Sequence, residues 1–263
     1  MVKTSDRRWK TVWITGASSG IGLELARLIA DYVDNVAVSA RSEKKLDKLA
    51  EEDARIFAYP LDVTDPLAVA KTVTEIEKSN GAIDLAILNA AAWDLIDMAD
   101  FDLSAVRQGI EVNYMGVMHA LHAVLPGMLA RGTGHIVIMA STAGYRGLPR
   151  SGAYGPTKAA LINLAETLRI ELTPRGIKVS LVCPGFVDTP ATQKNPFPMP
   201  GIISAPMAAQ YIVTGLAREK YDISFPFLFV FGMKLLRILP SSWYFWMIRT
   251  FVWKNPTAEM EAQ

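Results

Sequence analysis

Short apolar runs alternate with longer amphipathic stretches along most of the chain. Each intervening stretch, such as IGLELARLIADYV after the first run, has the length and apolar spacing of a crossover helix. The alternation predicts an α/β domain, doubly wound around a mainly parallel sheet. The runs that we predict to be strands are residues 11–15, 35–40, 55–63, 84–90, 135–141 and 177–185.

The composition changes after residue 222, where we predict that the domain (1–222) ends and an apolar, aromatic-rich C-terminal extension (223–263) begins. Residues 223–258 hold six of the ten Phe and three of the six Trp, and neither Asp nor Glu. The uncharged runs there are much shorter than the about 20 residues that span a bilayer. Three interpretations stay open: a dimer contact or cap on the core, a peripheral membrane contact through 223–253, or a wall of the substrate pocket.

Composition and charge exclude several classes of function. The chain has 263 residues, 51% of them hydrophobic, and can bury a sizeable core. It carries 27 Lys and Arg against 26 Asp and Glu, without the basic excess of a nucleic-acid-binding protein. Cys183 is the only cysteine, and His119 and His122 lack a third ligand nearby, so we predict neither a disulfide nor a metal site. The N-terminal residues lack the apolar region of a secretion signal, so we expect a cytoplasmic protein, peripheral membrane association being the alternative.

A glycine-rich segment, TGASSGIG, follows the first predicted strand and runs directly into a helix. Gly16, Gly20 and Gly22 would allow a tight turn, close approach of the backbone to a pyrophosphate, and packing of helix on strand. This context favours a dinucleotide-binding Rossmann domain, with a purely structural glycine turn as the alternative. The other candidate cofactor-binding residues of this loop are Ser18, Ser19 and Ile21.

The end of the second predicted strand reads Ser39-Ala40-Arg41 and lacks the acidic residue that would bind the ribose 2′-hydroxyl of NAD. A guanidinium at this place suits the 2′-phosphate of NADP(H). We therefore favour NADP(H) over NAD(H). Arg41 could instead be a solvated residue at the start of the next helix.

Tyr154 and Lys158 stand four residues apart, and Pro156 between them fits the first turn of a helix. The spacing places both side chains on one helix face, where a lysine ammonium would lower the pKa of the phenol for proton transfer. Ser141 closes the fifth predicted strand, at the carboxyl edge where such sheets bind ligands. Asn113 lies in a helical segment, where its amide needs a partner such as a backbone carbonyl or a water leading to Lys158.

In these residues the chain resembles the short-chain dehydrogenase/reductase family over about residues 9–190. The resemblance implies a catalytic tetrad: Tyr154 as acid/base, Ser141 orienting the substrate oxygen, Lys158 lowering the tyrosine pKa and binding the nicotinamide ribose, and Asn113 supporting a proton-relay water. The matching segments, in the family's order, are TGASSGIG at 15–22, Asp62-Val63, Asn89-Ala90, Asn113, Ser141, Tyr154 with Lys158, and PGFVDT at 184–189.

The same resemblance implies further cofactor contacts, and one position departs from it. Where the family commonly has Asn-Asn-Ala-Gly, this chain reads Leu88-Asn89-Ala90-Ala91, and we expect the site to tolerate the added methyl group at residue 91. The implied contacts are Asp62 and Val63 with the adenine, Asn89, Ala90 and Ala91 on the adenosine ribose side, and Pro184, Gly185, Val187 and Thr189 at the nicotinamide end, with Val187 and Thr189 on its carboxamide.

Residues 188–206 are predicted to form a mobile segment that closes over the substrate, because prolines between 190 and 206 prevent a long helix. Its apolar residues favour a bulky, lipophilic small-molecule substrate, with simple loop packing as the alternative. These residues are Phe197, Met199, Ile202 and Ile203.

Together these features predict an NADP(H)-dependent oxidoreductase that transfers a hydride between nicotinamide and a ketone or secondary alcohol. The alternatives are an NAD-dependent alcohol dehydrogenase and a non-catalytic, cofactor-binding scaffold protein. The family resemblance also implies a homodimer, formed through the helices at about 101–131 and 152–173.

Overall fold

The first strand lies at the centre of the sheet, and all five of its side chains are buried. Val12 and Ile14 pack on one face and Trp13 on the other, as the period of two in a strand requires. The computed structural model describes residues 9–253. Its strands are β1 (Thr11–Thr15), β2 (Asn35–Ser39), β3 (Ile56–Ala58), β4 (Ile83–Leu88), β5 (Gly134–Met139), β6 (Ile177–Pro184), β7 (Val187–Asp188), β8 (Ile203–Ser204) and β9 (Asp222–Phe225).

Seven of these strands form one parallel sheet in the order β3-β2-β1-β4-β5-β6-β9, and β7 pairs with β8 outside it. The order reverses direction between β1 and β4, which is the switch point at which a doubly wound sheet binds ligands. The Rossmann-like fold predicted from the sequence is confirmed.

Helices cover both faces of the sheet. They are α1 (Gly20–Ala30), α2 (Glu43–Glu52), α3 (Pro66–Asn80), α4 (Leu103–Ile110), α5 (Gly116–Arg131), α6 (Tyr154–Leu172), α7 (Ala205–Ala217), α8 (Phe227–Ile238) and α9 (Ser241–Met247). Helices α3, α5, α6 and α8 pack on one face, and α1, α2 and α7 on the other. A π-helical turn, Glu111–Met115, joins α4 to α5, and another, Ile248–Val252, follows α9.

Each of the six predicted strands is present, but the third is shorter than predicted. The sequence pattern places it at 55–63, whereas β3 ends at Ala58. Pro60 has no N–H and interrupts the ladder. The Tyr59 and Leu61 amides still donate to carbonyls of Val38 and Ala40, so the chain continues beside β2 beyond the strand's end.

The seventh strand of the sheet, β9, was not predicted. It crosses the predicted domain boundary at 222/223 and pairs with β6 from Leu181↔Asp222 to Pro184↔Phe225. Ile223 and Phe225 are buried, while Asp222 and Ser224 alternate with them. The C-terminal extension therefore begins after Phe225.

The extension packs against the domain by one side only. Val230 and Met233 of α8 belong to the core beside α5 and α6, and Tyr244 of α9 is 2% exposed. Within residues 9–253, every helix falls short of the length and apolar character needed to cross a bilayer. Residues 254–263 of the predicted extension lie outside the described residues.

Candidate active site

The loop between β1 and α1 requires glycine at several positions. Gly16 and Gly20 have φ values of +70° and +56°, which L side chains rarely adopt. A Cβ at Gly16 would lie 2.7 Å from the Ala90 Cα, and one at Gly22 would lie 2.4 Å from the Gly16 carbonyl oxygen. The loop is thus folded tightly against the end of β4, with no room for a side chain at these points.

Two neighbouring strand ends hold this loop in place. The carbonyl of Ser39, at the end of β2, accepts hydrogen bonds from the amides of Gly16 (2.7 Å) and Ala17 (3.1 Å). From the end of β4, the Asn89 amide group donates to the carbonyls of Thr15 (3.0 Å) and Gly16 (3.1 Å). Asn89 thus fixes the shape of the loop, a role that the sequence did not reveal.

The N-terminus of α1 is suited to bind an anion. The helix begins at Gly20 with Ser19 as its N-cap residue, and Ser19 makes no side-chain capping bond within the described part of the chain. Ser18, Ser19 and Ile21 are only partly buried. Free amides at a helix N-terminus attract phosphate, so the loop fits the pyrophosphate of a dinucleotide.

Arg41 and Asp62 lie near each other, beyond the ends of β2 and β3, and both are exposed. Burial acts to raise the pKa of Asp62, but hydrogen bonds from Thr64 and the charge of Arg41 outweigh it, and the pKa is lowered. Asp62 therefore stays ionised beside the guanidinium. Next to it, Val63 is buried against Gly116, at the start of α5.

The segment after β6 reaches across the switch point to the glycine loop. A Cβ at Gly20 would lie 2.9 Å from the Thr189 Cγ2, so the two loops touch. Pro184 and Val187 are buried, and Gly185 donates its amide to the Phe225 carbonyl (2.7 Å). The structure therefore brings Thr189, one of the predicted nicotinamide-end residues, beside the phosphate loop. On the β4 side, Ala90 adjoins Gly16 and Ala91 is exposed.

Ser141 and Tyr154 are neighbours at the carboxyl edge of the sheet, close enough for the Ser141 hydroxyl to act on the pKa of the phenol. Ser141 follows β5 and accepts the Ala143 amide (3.1 Å), which caps a 3-10 turn at Thr142–Gly144. Tyr154 is the first residue of α6. Burial raises the pKa of Tyr154 to about 12, and the Ser141 hydroxyl only partly opposes this rise.

Lys158 is 2% exposed, and its ammonium donates to the Met139 carbonyl (2.7 Å). The Lys158 Nζ lies 5.4 Å from the centroid of the Tyr154 ring. Burial lowers the pKa of Lys158 to about 8. The sequence predicted that Lys158 would lower the pKa of Tyr154. In this structure the pKa is raised instead, because the ammonium is directed to a backbone carbonyl and burial of the phenol dominates.

Asn113 is completely buried in the π-helical turn between α4 and α5. Its Oδ1 accepts the Ala92 amide (2.7 Å), and its Nδ2 donates to the Ala92 carbonyl (3.1 Å) and to the Thr157 hydroxyl (3.1 Å). The predicted backbone partner is thus Ala92, in the loop after β4. Asn113 joins that loop to α6, one residue before Lys158.

Trp93 is a site residue that the sequence analysis missed. Its ring meets the Tyr154 ring edge to face, with centroids 4.4 Å apart. Its indole N–H donates to the Asn195 Oδ1 (3.0 Å), in the predicted substrate-covering segment. An aromatic residue a few positions beyond a strand's carboxyl end, in a loop bordering the site, was the available signal.

The predicted substrate-covering segment, residues 188–206, contains only one 3-10 turn, Thr192–Lys194, before β8 and the start of α7. Phe197 lies 6.1 Å from Phe186, centroid to centroid, and Phe186 lies 5.4 Å from Phe229 of α8. Ile202 and Ile203, which were predicted with Phe197 and Met199 to give this segment its apolar lining, lie apart from the aromatic contact. Ile202 is 42% exposed, and Ile203 pairs with Val187 and packs on the core beside α7.

His119, one of the two histidines considered and rejected as metal ligands, has a structural partner. Its Nδ1 lies 3.0 Å from the Val63 carbonyl oxygen, so α5 is tied to the loop after β3. Among residues 9–253, no group of three or more His, Cys, Asp or Glu side chains is arranged to hold a metal ion.

Comparisons with known proteins agree with this geometry. Residues 10–197 match the family described as short chain dehydrogenase. An uncharacterized oxidoreductase of Myxococcus xanthus is 32% identical over 241 residues, covering 90% of this chain and 95% of that protein. Oxidoreductase UcpA of Escherichia coli is 38% identical over 199 residues, covering 71% and 74%.

A solved structure has the same fold. The short chain dehydrogenase/reductase of Burkholderia phymatum in complex with NAD has a TM-score of 0.77 at 24% identity, covering 86% of this chain and 92% of that one. The family match covers most of the chain and contains the glycine loop, Ser141, Tyr154 and Lys158. The chain belongs to the short-chain dehydrogenase/reductase family, whose oxidoreductases act on CH–OH groups with NAD(P).

Proposed function

We propose that the protein is an NADP(H)-dependent oxidoreductase that interconverts a bulky apolar ketone and its secondary alcohol. The observation that carries this proposal is the position of Tyr154 beside Ser141 and buried Lys158, whose Nζ lies 5.4 Å from the Tyr154 ring centroid, at the same sheet edge as the glycine loop. NADP(H), when bound, supplies or accepts the hydride. The chain itself binds, orients and moves the proton.

Tyr154 is the proton donor in the reductive direction. A phenol with a pKa near 12 is fully protonated at neutral pH, so it can give its proton to an oxygen that gains negative charge. Ser141 holds the same oxygen by its hydroxyl. Lys158 is the cation beside the ring, with its Nζ 5.4 Å from the centroid, and its charge attracts the phenolate that forms, although burial outweighs this attraction in the pKa of the resting site.

The preference for NADP(H) rests on Arg41. Its guanidinium is exposed at the end of β2, and the acidic residue that would bind a ribose 2′-hydroxyl is absent from this strand end. Asp62 is close by, but Arg41 can still offer paired N–H donors to a 2′-phosphate. NAD(H) is the competing cofactor.

The substrate is proposed to be apolar because aromatic side chains border the proton donor. Trp93 meets Tyr154 edge to face, and Phe197 of the substrate-covering segment lies beside Phe186. These surfaces favour a hydrophobic body around a single polar carbonyl. Hydrogen bonding of Trp93 to Asn195 joins this wall to the segment above it.

We also propose that two copies of the chain associate as a homodimer through α4, α5 and α6. Leu103 and Ile110 of α4 and Ile170 of α6 are exposed large apolar residues on these helices. Their burial between two copies would remove apolar surface from water.

Titration with NADPH and with NADH, followed by nicotinamide fluorescence, tests the cofactor. We expect Arg41→Ala to weaken NADPH binding by about ten- to a hundredfold, because a charge-assisted contact to the phosphate is lost. NADH binding should change little, and Lys44→Ala, an exposed cation three residues later, should leave both unchanged. Equal losses for the two cofactors, or tighter binding of NADH by the native chain, would contradict the NADP(H) assignment.

A further inference from the structure

We propose that the outward side of the C-terminal extension docks on the surface of an anionic lipid bilayer. This surface, which we call the tail face, consists of the exposed apolar side chains of α8, α9 and the turn 248–252. The proposal does not depend on the cofactor or the substrate. It rests on exposure, charge and the attachment of the tail face to the domain.

Helix α8 contributes one continuous apolar stripe. Phe227, Leu228, Phe231, Leu235 and Ile238 recur at spacings that place them on one side of the helix, and they are 77%, 82%, 60%, 50% and 77% exposed. The opposite side carries the buried Val230 and Met233. The helix is therefore apolar both toward the core and toward the outside.

Helix α9 and the turn after it extend the same kind of surface with aromatic residues. Tyr244 is buried and donates its hydroxyl to the Gly147 carbonyl, so its neighbours in sequence face outward. Aromatic side chains, tryptophan above all, favour the boundary between lipid headgroups and acyl chains. The exposed large side chains of this part are Trp243, Phe245, Trp246, Phe251 and Val252.

The charged residues of the segment that forms the tail face are all positive. Residues 223–253 contain Lys234, Arg237 and Arg249 and neither Asp nor Glu. Lys234 is paired with Asp222 (2.6 Å), while Arg237 and Arg249 are exposed beside the apolar side chains. Cations flanking an apolar surface complement the negative headgroups of an anionic bilayer.

A second copy of the chain fits this surface less well than a bilayer does. In a symmetric dimer the same patch meets itself. Arg237 and Arg249 of each copy would then be brought to one interface without a carboxylate from residues 223–253 to neutralise them. Like charges brought together lower affinity, whereas anionic lipids would neutralise them.

The tail face is held rigidly on the domain. The Arg146 guanidinium donates to the carbonyls of Leu236 (2.6 Å) and Leu239 (2.8 Å), at the end of α8. It also lies 4.0 Å from the centroid of the Tyr244 ring. The surface is therefore formed before any lipid arrives, and its ordering adds no cost to docking.

Vesicle flotation with the full chain tests the proposal. We expect binding to vesicles of phosphatidylcholine with about 30% phosphatidylserine, and weaker binding to phosphatidylcholine alone. Phe227→Ser with Leu228→Ser should lower the partition coefficient at least tenfold, because two apolar side chains no longer enter the bilayer. The matched control is Leu67→Ser with Met207→Ser, which are 81% and 49% exposed on α3 and α7 and should leave binding unchanged.

Substitution of the two exposed arginines tests the contribution of positive charge to vesicle binding. Arg237→Gln with Arg249→Gln should weaken binding to the anionic vesicles by about fivefold per arginine, with little effect on phosphatidylcholine vesicles. Equal binding to both vesicle types by the native chain would overturn the electrostatic assignment. Thermal unfolding of each variant, unchanged from the native chain, confirms that the fold is retained.

Brominated lipids locate the tail face directly. They should quench native tryptophan fluorescence, and Trp243→Phe with Trp246→Phe should remove most of the quenching, whereas Trp9→Phe should not. If the native chain does not float with the anionic vesicles, the proposal is overturned. It is also overturned if light scattering shows a dimer in solution that Phe227→Ser with Leu228→Ser dissociates, since the tail face would then join two copies.

Discussion

The active site and the tail face depart from ordinary burial in opposite directions. In the site, Asn113, Ser141 and Lys158 are polar and no more than 8% exposed. On the tail face, large apolar side chains such as Leu228 and Trp243 are 82% and 66% exposed. Folding normally hides the second kind of residue and exposes the first.

The two departures are stabilised differently, and this difference indicates what each region is for. Each buried polar group of the site has a partner within the chain, such as Ala92 for Asn113 and the Met139 carbonyl for Lys158. The apolar side chains of the tail face contact one another, as Phe227 does Phe231 and Trp246 does Phe251, but within residues 9–253 each stays 50% or more exposed. The polar groups of the site thus form the framework that the proposed proton transfer needs, whereas the tail face is an exposed apolar surface of the kind that marks interaction sites.

The largest expected effect comes from removing one hydroxyl in the site. Tyr154→Phe should lower kcat for ketone reduction by about 10²- to 10⁴-fold, because the proton donor is lost while the ring still packs on Trp93. NADPH binding should change little in the same fluorescence titration. Tyr211→Phe, on the exposed side of α7, is the matched control and should retain full turnover. Unchanged turnover of Tyr154→Phe would remove the role given to this residue.

A pair of substitutions compares the two regions in one measurement. Asn113→Leu should lower the free energy of unfolding by about 1–3 kcal/mol, because the Ala92 backbone groups lose their buried partners. Leu228→Ser should change it by under about 0.5 kcal/mol, because this leucine contributes little to the core. Urea unfolding measures both, and similar losses for the two variants would mean that Leu228 packs on the domain.

The smallest expected effect is a dependence on pH. Tyr154 stays protonated below about pH 12, so it does not limit reduction over the usual range. Lys158, with its pKa lowered to about 8, loses its positive charge as the pH rises through 8. We expect kcat/KM for reduction with NADPH to be constant below pH 8 and to fall above it, by at most about tenfold per pH unit. A constant value up to pH 10 would show that the Lys158 charge is not required.

Much of the fold could be predicted because a parallel sheet leaves a strong periodic signal. Runs such as VWI (12–14) and LAIL (85–88) are buried on both faces and are therefore apolar throughout. Strand β9 escaped prediction because it has only four residues, of which Asp222 and Ser224 are polar. Its pairing depends on β6, 41 residues earlier in the register Leu181↔Asp222, and local sequence carries no trace of such a contact.

The site was predictable to the extent that its residues come from motifs, and less so where tertiary contacts decide. The glycine loop, Ser141, Tyr154 and Lys158 meet at one sheet edge as their positions predicted. The raised pKa of Tyr154 and the contact of Trp93 with Asn195 depend on how separate loops pack. Burial and hydrogen-bond direction are set by the whole fold, so neither could be read from spacing.

Arg146 links the local stability of α8 to that of the turn beside Ser141. It lies two residues after the turn Thr142–Gly144, which is capped by the Ser141 hydroxyl. Its guanidinium donates hydrogen bonds to backbone carbonyls at the end of α8. A fluctuation that unwinds α8 must first release this guanidinium and free the segment that follows the turn. Amide hydrogens at both places would then exchange with solvent in one cooperative opening, and a surface that immobilises α8 would slow the exchange around Ser141.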